Sequence, residues 1–168
     1  MPPAPRRPLR ALLLVALTTG ALAGTLGGCA SGGATSDGPA AAGAVAFAPT
    51  LSVDLAAMTR QSSGLYLRDL DAGGGDAAAR GKRVTVRYTG WLPDGTRFDS
   101  SDEGGPVTFR LGAKSTIRGW EEGLIGLREG GRRQLVVPPR LAYGARGLAG
   151  KVPPDATLVF VLELVRVQ

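Results

Sequence analysis

The sequence predicts an α+β domain in which a twisted antiparallel sheet packs on one short helix. Three observations lead there. Apolar and polar residues alternate with period two in several short runs, most clearly in Lys82-Arg83-Val84-Thr85-Val86-Arg87-Tyr88. Turn chemistry punctuates the runs, as in Pro93-Asp94-Gly95, where proline fixes φ and glycine tolerates a positive one. In the C-terminal half only one stretch keeps a helical period, with Ile117, Trp120, Leu124 and Leu127 on one face. Many strands and one helix give two packed layers.

The elements follow in order. Residues 1–28 form an address. Arg6, Arg7 and Arg10 precede the apolar run from Ala11 to Leu17, and small residues close the segment at Gly27-Gly28. This is the layout of a signal peptide, and the apolar run is too short to span a bilayer. Residues 29–50 are rich in Ala, Gly, Ser and Thr, so they bury too little to offset ordering and are expected to be a flexible tether. Residues 51–61 are expected to be a loosely packed lead-in, although Leu51, Leu55 and Met58 have the spacing of a turn or two of helix.

The folded domain is expected over 62–168. Residues 64–70 have strand character and stop at Gly73-Gly74-Gly75. Residues 82–88 form a half-buried strand. Thr96-Arg97-Phe98-Asp99 pairs back across the turn as a hairpin. Val107 to Leu111 alternates again. The helix follows, with Ser115 or Thr116 as its cap, Glu121 and Glu122 in its early turns, and Gly126 and Gly130 at its end. Residues 132–137 run as a strand into Pro138-Pro139. Residues 157–167 form the longest strand.

Composition removes whole classes of function. The chain of 168 residues contains no histidine, which excludes Ser-His-Asp and Cys-His catalysis and the commonest transition-metal ligand. Its one cysteine forbids an intramolecular disulfide. Three of the 20 basic residues lie in 1–28, so 17 remain against 14 acidic ones, a mild net charge of +3. Polybasic tracts are absent, and no nucleic-acid partner is expected.

Two resemblances are specific. Leu26-Gly27-Gly28-Cys29 resembles a bacterial lipobox. That implies cleavage before Cys29, lipidation of Cys29, and attachment to a membrane in the cell envelope on the extracytoplasmic side. The anchor would lie at the periplasmic face of an outer membrane or the outer leaflet of the cytoplasmic membrane. Ala30 and Ser31 lack an acidic retention signal, which leans toward the outer membrane. The second resemblance spans about residue 62 to 168. Its strings are Val86-Arg87-Tyr88-Thr89-Gly90, Asp94-Gly95, Phe98-Asp99-Ser100-Ser101, Ile117-Arg118-Gly119-Trp120-Glu121-Glu122-Gly123, Ala142-Tyr143-Gly144, and Val152-Pro153-Pro154-Asp155-Ala156-Thr157-Leu158-Val159-Phe160. In this order they resemble the FKBP family of peptidyl-prolyl cis-trans isomerases.

That resemblance implies a half-barrel of five to six antiparallel strands wrapped around the short helix. It implies a proline pocket with Trp120 as floor and Tyr88, Phe98 and Phe160 as walls. Ile117 would offer its N–H, and Tyr143 its hydroxyl, to a substrate carbonyl, and Asp99 would be the pocket carboxylate. Val107, Thr116, Leu148 and Val152 would form the rim. The sequence departs from the family at this rim: Leu148 stands where some members have histidine, and Lys151 where an aliphatic residue is common. No cofactor or metal is expected. The implied partners are proline-containing unfolded or nascent exported polypeptides, with macrolides of the rapamycin type as ligands, and the catalytic domain is expected to be a monomer.

The residue types suit this chemistry. Rotation about a peptide bond meets a barrier of about 18–20 kcal/mol, and X-Pro bonds populate both isomers but exchange slowly. Rotation needs neither nucleophile nor proton transfer, so Asp99 is not required as a base. Two other classes stay open on sequence alone. One is a chaperone holding proline segments, although 136–157 leaves no room for an inserted domain. The other is a membrane-tethered binding module that binds macrolide without turnover.

Overall fold

A computed structural model describes residues 45–168. The expectations for the signal peptide, for Cys29 and for most of the tether lie outside these residues.

Seven strands make one antiparallel sheet. They are β1 (Thr59–Arg60), β2 (Tyr66–Asp71), β3 (Arg83–Trp91), β4 (Arg97–Ser100), β5 (Val107–Arg110), β6 (Arg132–Val137) and β7 (Leu158–Val167). Among the described residues, two short α-helices, α1 (Ser101–Gly104) and α2 (Arg118–Gly123), accompany the strands with a few 3-10 turns. The spatial order is β1-β2-β6-β7-β3-β4, and β5 also pairs with β3. β4 lies along Thr89 to Trp91 and β5 along Arg83 to Val86. The two thus act as one strand interrupted by α1, whose start is capped by the Ser100 hydroxyl accepting from Asp102 N. This interruption and the two-residue β1 explain why seven strands appear where five to six were expected.

Strand parity decides what faces the helix. On β3, Val84 and Val86 are fully buried and share a face with Tyr88 and Gly90. On β7, Leu158, Phe160, Leu162 and Leu164 face the same core, as do Leu135 and Val137 on β6. Trp120 and Leu124 of the helical segment meet them, and so does Leu127 beyond it.

β6 and the start of β7 do not alternate in burial, because both faces of the sheet are covered there. Val136 and Val159 face away from the helix and form a second cluster with Leu51 and Met58. Phe47, Ala48, Leu55, Tyr66 and Trp91 pack around it. Ala48 N donates to Pro93 O at 2.7 Å, and Gln134 Nε2 donates to Leu51 O at 2.8 Å. The end of the expected tether and the expected loose lead-in are therefore fitted to the sheet. Composition hid this, because only four or five apolar side chains among small residues do the packing.

The helix also differs from expectation at its ends. It starts at Arg118 with Ile117 as its N-cap, and no side chain caps it. Thr116 Oγ1 is buried without a partner, so the cap expected of Ser115 or Thr116 does not form. At the other end Arg133 Nη1 donates to the carbonyls of Gly123 (2.7 Å) and Ile125 (3.1 Å). Its guanidinium also grips Asp69 with two hydrogen bonds. A buried arginine from the sheet thus supplies the C-terminal stop that glycines alone were expected to give.

Two glycines set how closely α2 lies on the sheet. A Cβ on Gly119 would come within 2.5 Å of Val137 Cγ1, and one on Gly123 within 2.6 Å of Leu135 Cδ1. Their absent side chains bring Trp120 down into the concave face.

Candidate active site

The concave face opens in a cavity of about 520 Å³. Its wall includes all seven residues singled out as the pocket: Tyr88, Phe98, Asp99, Ile117, Trp120, Tyr143 and Phe160. They come from β3, β4, the N-terminus of α2, a loop and β7, and span 73 positions in the chain from Tyr88 to Phe160.

Trp120 is the hub of an aromatic cage. Its ring centre lies 4.8 Å from Tyr88 and 5.4 Å from Phe160, both edge-on, and 6.2 Å from Phe109. Phe98 meets Phe160 edge-on at 5.6 Å. Each ring therefore braces its neighbour in the geometry that ring quadrupoles favour. Gly90 makes room for this. A Cβ there would meet Phe160 at 2.7 Å and Phe98 at 2.8 Å, so the strand must carry glycine where the two rings cross it.

The polar groups are few and held. The Tyr88 hydroxyl donates to Asp99 Oδ2 at 2.9 Å. The Tyr88 backbone is fixed in turn by the buried Ser101 hydroxyl, which accepts from Tyr88 N at 2.9 Å and contacts Tyr88 O at 3.2 Å. Burial, helped by the hydrogen bond to Asp99, pushes the Tyr88 phenol up to about 12. Burial and the nearby Asp99 charge push Tyr143 up as well. Both phenols thus stay protonated donors across ordinary pH. Ile117, as N-cap of α2, has its own N–H outside the helical ladder.

The residues expected at the rim separate. Thr116 lines the cavity. Val107 packs on the core instead, because it pairs with Val86 on the sheet. Leu148 and Val152 line a neighbouring groove, because their loop folds on itself through paired backbone hydrogen bonds. Ser115, Arg118 and Ala142 join the wall without having been singled out. Phe109 braces the indole from behind, and Ser101 positions Tyr88. Phe109 carried a signal in its alternating strand. Ser101 stood in one of the resemblance strings, but nothing local tied it to Tyr88, 13 residues away. Among the described residues no cluster of three metal-ligating side chains occurs.

Comparison with known proteins supplies the remaining observation. The sequence profile described as FKBP-type peptidyl-prolyl cis-trans isomerase matches residues 74–165. The FK506-binding protein of Neisseria meningitidis serogroup B is 50% identical over 105 residues, 62% of this chain and 96% of that protein. The crystal structure of FkpA from Escherichia coli superposes with a TM-score of 0.61 at 42% identity, covering 67% of this chain and about half, 52%, of that one. A peptidyl-prolyl cis-trans isomerase from Pseudomonas syringae pv. tomato gives 0.61 at 38% identity, over 67% of this chain and 81% of its own. With more than half of its length matched, this chain belongs to the FKBP-type peptidyl-prolyl cis-trans isomerases.

Proposed function

We propose that the chain accelerates X-Pro rotation in exported polypeptides by non-covalent stabilisation of a twisted amide in the aromatic cavity. One observation carries this reading: a cage of Tyr88, Phe98, Trp120 and Phe160 with hydrogen-bond donors at its edge and no histidine to activate the Ser115 or Thr116 hydroxyl in its wall. The planar amide owes its rigidity to delocalisation of the nitrogen lone pair into the carbonyl, which separates charge. An apolar cage solvates that charge less well than water does. The twisted amide, with less charge separation, loses less on entering. Binding is then tighter in the transition state than in the ground state, which is the condition for catalysis.

The Ile117 N–H and the Tyr143 hydroxyl orient the carbonyl beside the proline. Asp99 holds Tyr88 and moves no proton. The proline ring rests on Trp120 between Phe98 and Phe160. The same cage suits a macrolide; several relatives are named for binding FK506. The anchor belongs to the same proposal. Lipidated at Cys29, the domain would work at the envelope membrane as a monomer on chains emerging there.

The decisive experiment is NMR exchange on a short X-Pro peptide with the full chain in detergent. Acceleration is expected, with block by FK506 or rapamycin. Phe98→Ala is expected to lower kcat/KM by about tenfold or more, as loss of an interaction made in the transition state. A folded protein that binds macrolide without accelerating exchange would instead be a binding module. The anchor is tested by labelling cells with radioactive palmitate: label is expected on the natural chain and none on Cys29→Ser.

A further inference from the structure

The mouth of the cavity carries a charge pattern that the aromatic cage does not explain. Lys151 Nζ lies 3.3 Å from Asp99 Oδ1, while Asp99 Oδ2 accepts from Tyr88. Both oxygens of the pocket carboxylate are engaged. Lys151 is held in place by its loop, in which Leu148 and Val152 exchange two backbone hydrogen bonds of 2.8 Å and Lys151 N donates to Leu148 O. An ammonium has three donors, and Asp99 takes one of them.

Beside the cavity runs a second groove of about 420 Å³, whose wall includes Leu92, Arg146, Leu148, Val152, Pro153 and Lys151. Lys151 therefore lines the groove and touches the carboxylate that lines the cavity. Its side chain is 51% exposed and that of Asp99 only 35%, so a chain lying in the groove meets the ammonium first. Arg146 adds a second cation to the same groove. Among the residues lining this groove there is no acidic side chain.

We propose that the groove takes the polypeptide flanking the target proline, and that Lys151, aided by Arg146, selects chains with Asp or Glu beside that proline. This rests on the isomerase reading of the aromatic cavity. Exposed ion pairs add little to stability. The role of this pair is to hold the ammonium at the junction of the two sites, with its remaining donors directed to an incoming carboxylate.

The test uses the full chain and acetylated, amidated peptides, so that no terminal carboxylate competes. Proline is flanked by alanines, and Glu, Ala or Lys is placed in turn at each neighbouring position. We measure kcat/KM by NMR exchange and Kd by chemical-shift titration. At one position or more, the Glu peptide is expected to exceed the Lys peptide by about fivefold at low salt. The ratio should fall toward one at about 1 M salt, where charges are screened within roughly 3 Å. Lys151→Glu should reverse the order and Lys151→Gln should level it; should the first fail to fold, the second decides. Equal use of Glu and Lys peptides at every position overturns the proposal. So does preference for Lys, which would put Asp99 in control, or a Glu preference that survives Lys151→Gln. The isomerase reading fails separately, if the unsubstituted protein does not accelerate the all-alanine peptide. The Kd series then still decides the charge preference.

Discussion

Tyr88 joins two roles in one side chain, since its ring is a wall of the cage and its hydroxyl anchors Asp99. Its phenol stands at about 12 in the folded protein against an ordinary 10. The sign follows from linkage. The folded state holds the proton more tightly, so Tyr88 favours folding fully below pH about 10 and loses that contribution as pH rises toward about 12. Tyr143 is shifted in the same direction. Urea denaturation should therefore show stability falling between pH about 10 and 12, and Tyr88→Phe should make that fall shallower. Isomerase activity, by contrast, should be level from pH about 6 to 9, because the chain has no histidine and both phenols remain protonated there. A bell-shaped profile in that window would contradict the proton-free mechanism.

Among the elements, α2 shows how placement and chemistry are coupled. Gly119 and Gly123 both face β6 at distances no Cβ tolerates, but their neighbours differ. Gly119 meets the β-branched Val137, whose χ1 is stiff, whereas Gly123 meets the end of Leu135, which can rotate aside. Gly119→Ala is expected to destabilise by about 1–3 kcal/mol through overpacking. Both substitutions recover about 1 kcal/mol of helix propensity, and Gly123→Ala should cost less, because its clash is with the far end of Leu135 rather than with a stiff β-branched side chain. Since Trp120 rides on the same turn, Gly119→Ala should also lower kcat/KM; thermal melts and NMR exchange check the pair. The helix also marks where sequence reasoning stopped. Its apolar face at Ile117, Trp120 and Leu124 was legible from spacing alone. Its stop was not, because Arg133 lies ten residues beyond the Gly123 carbonyl it grips, on a strand that no local spacing ties to the helix. The same holds for Ser101 under Tyr88 and Lys151 beside Asp99, pairs fixed by the fold rather than by any local pattern.

At the scale of the molecule, the sheet is sandwiched over β6 and β7, with helix and cavity on one face and residues 47–58 on the other. Alternation exposed the first face, since it marks strands with one apolar side. It could not expose the second, because the covering segment is made of scattered apolar side chains in an Ala-rich stretch. Leu51 is the most buried contact of that cover after Met58. Leu51→Ala is expected to cost about 2 kcal/mol, lowering the midpoint of thermal unfolding. Because Leu51 lies across the sheet from the cavity, kcat/KM at a temperature where both proteins are folded should be unchanged. A loss of rate as large as that for Phe98→Ala would show that the two faces are not independent.

The covering segment also fixes how the domain answers to force. Any pull entering at residue 45 first loads the bond from Ala48 N to Pro93 O, then the grip of Gln134 on Leu51 O, then that of Arg68 on Ser52 O. Loaded from that end, they are expected to yield one after another, as in peeling, rather than together, as in shear. The segment would then serve as a mechanical fuse, lengthening before the load reaches the strands beneath and the cavity on the far side.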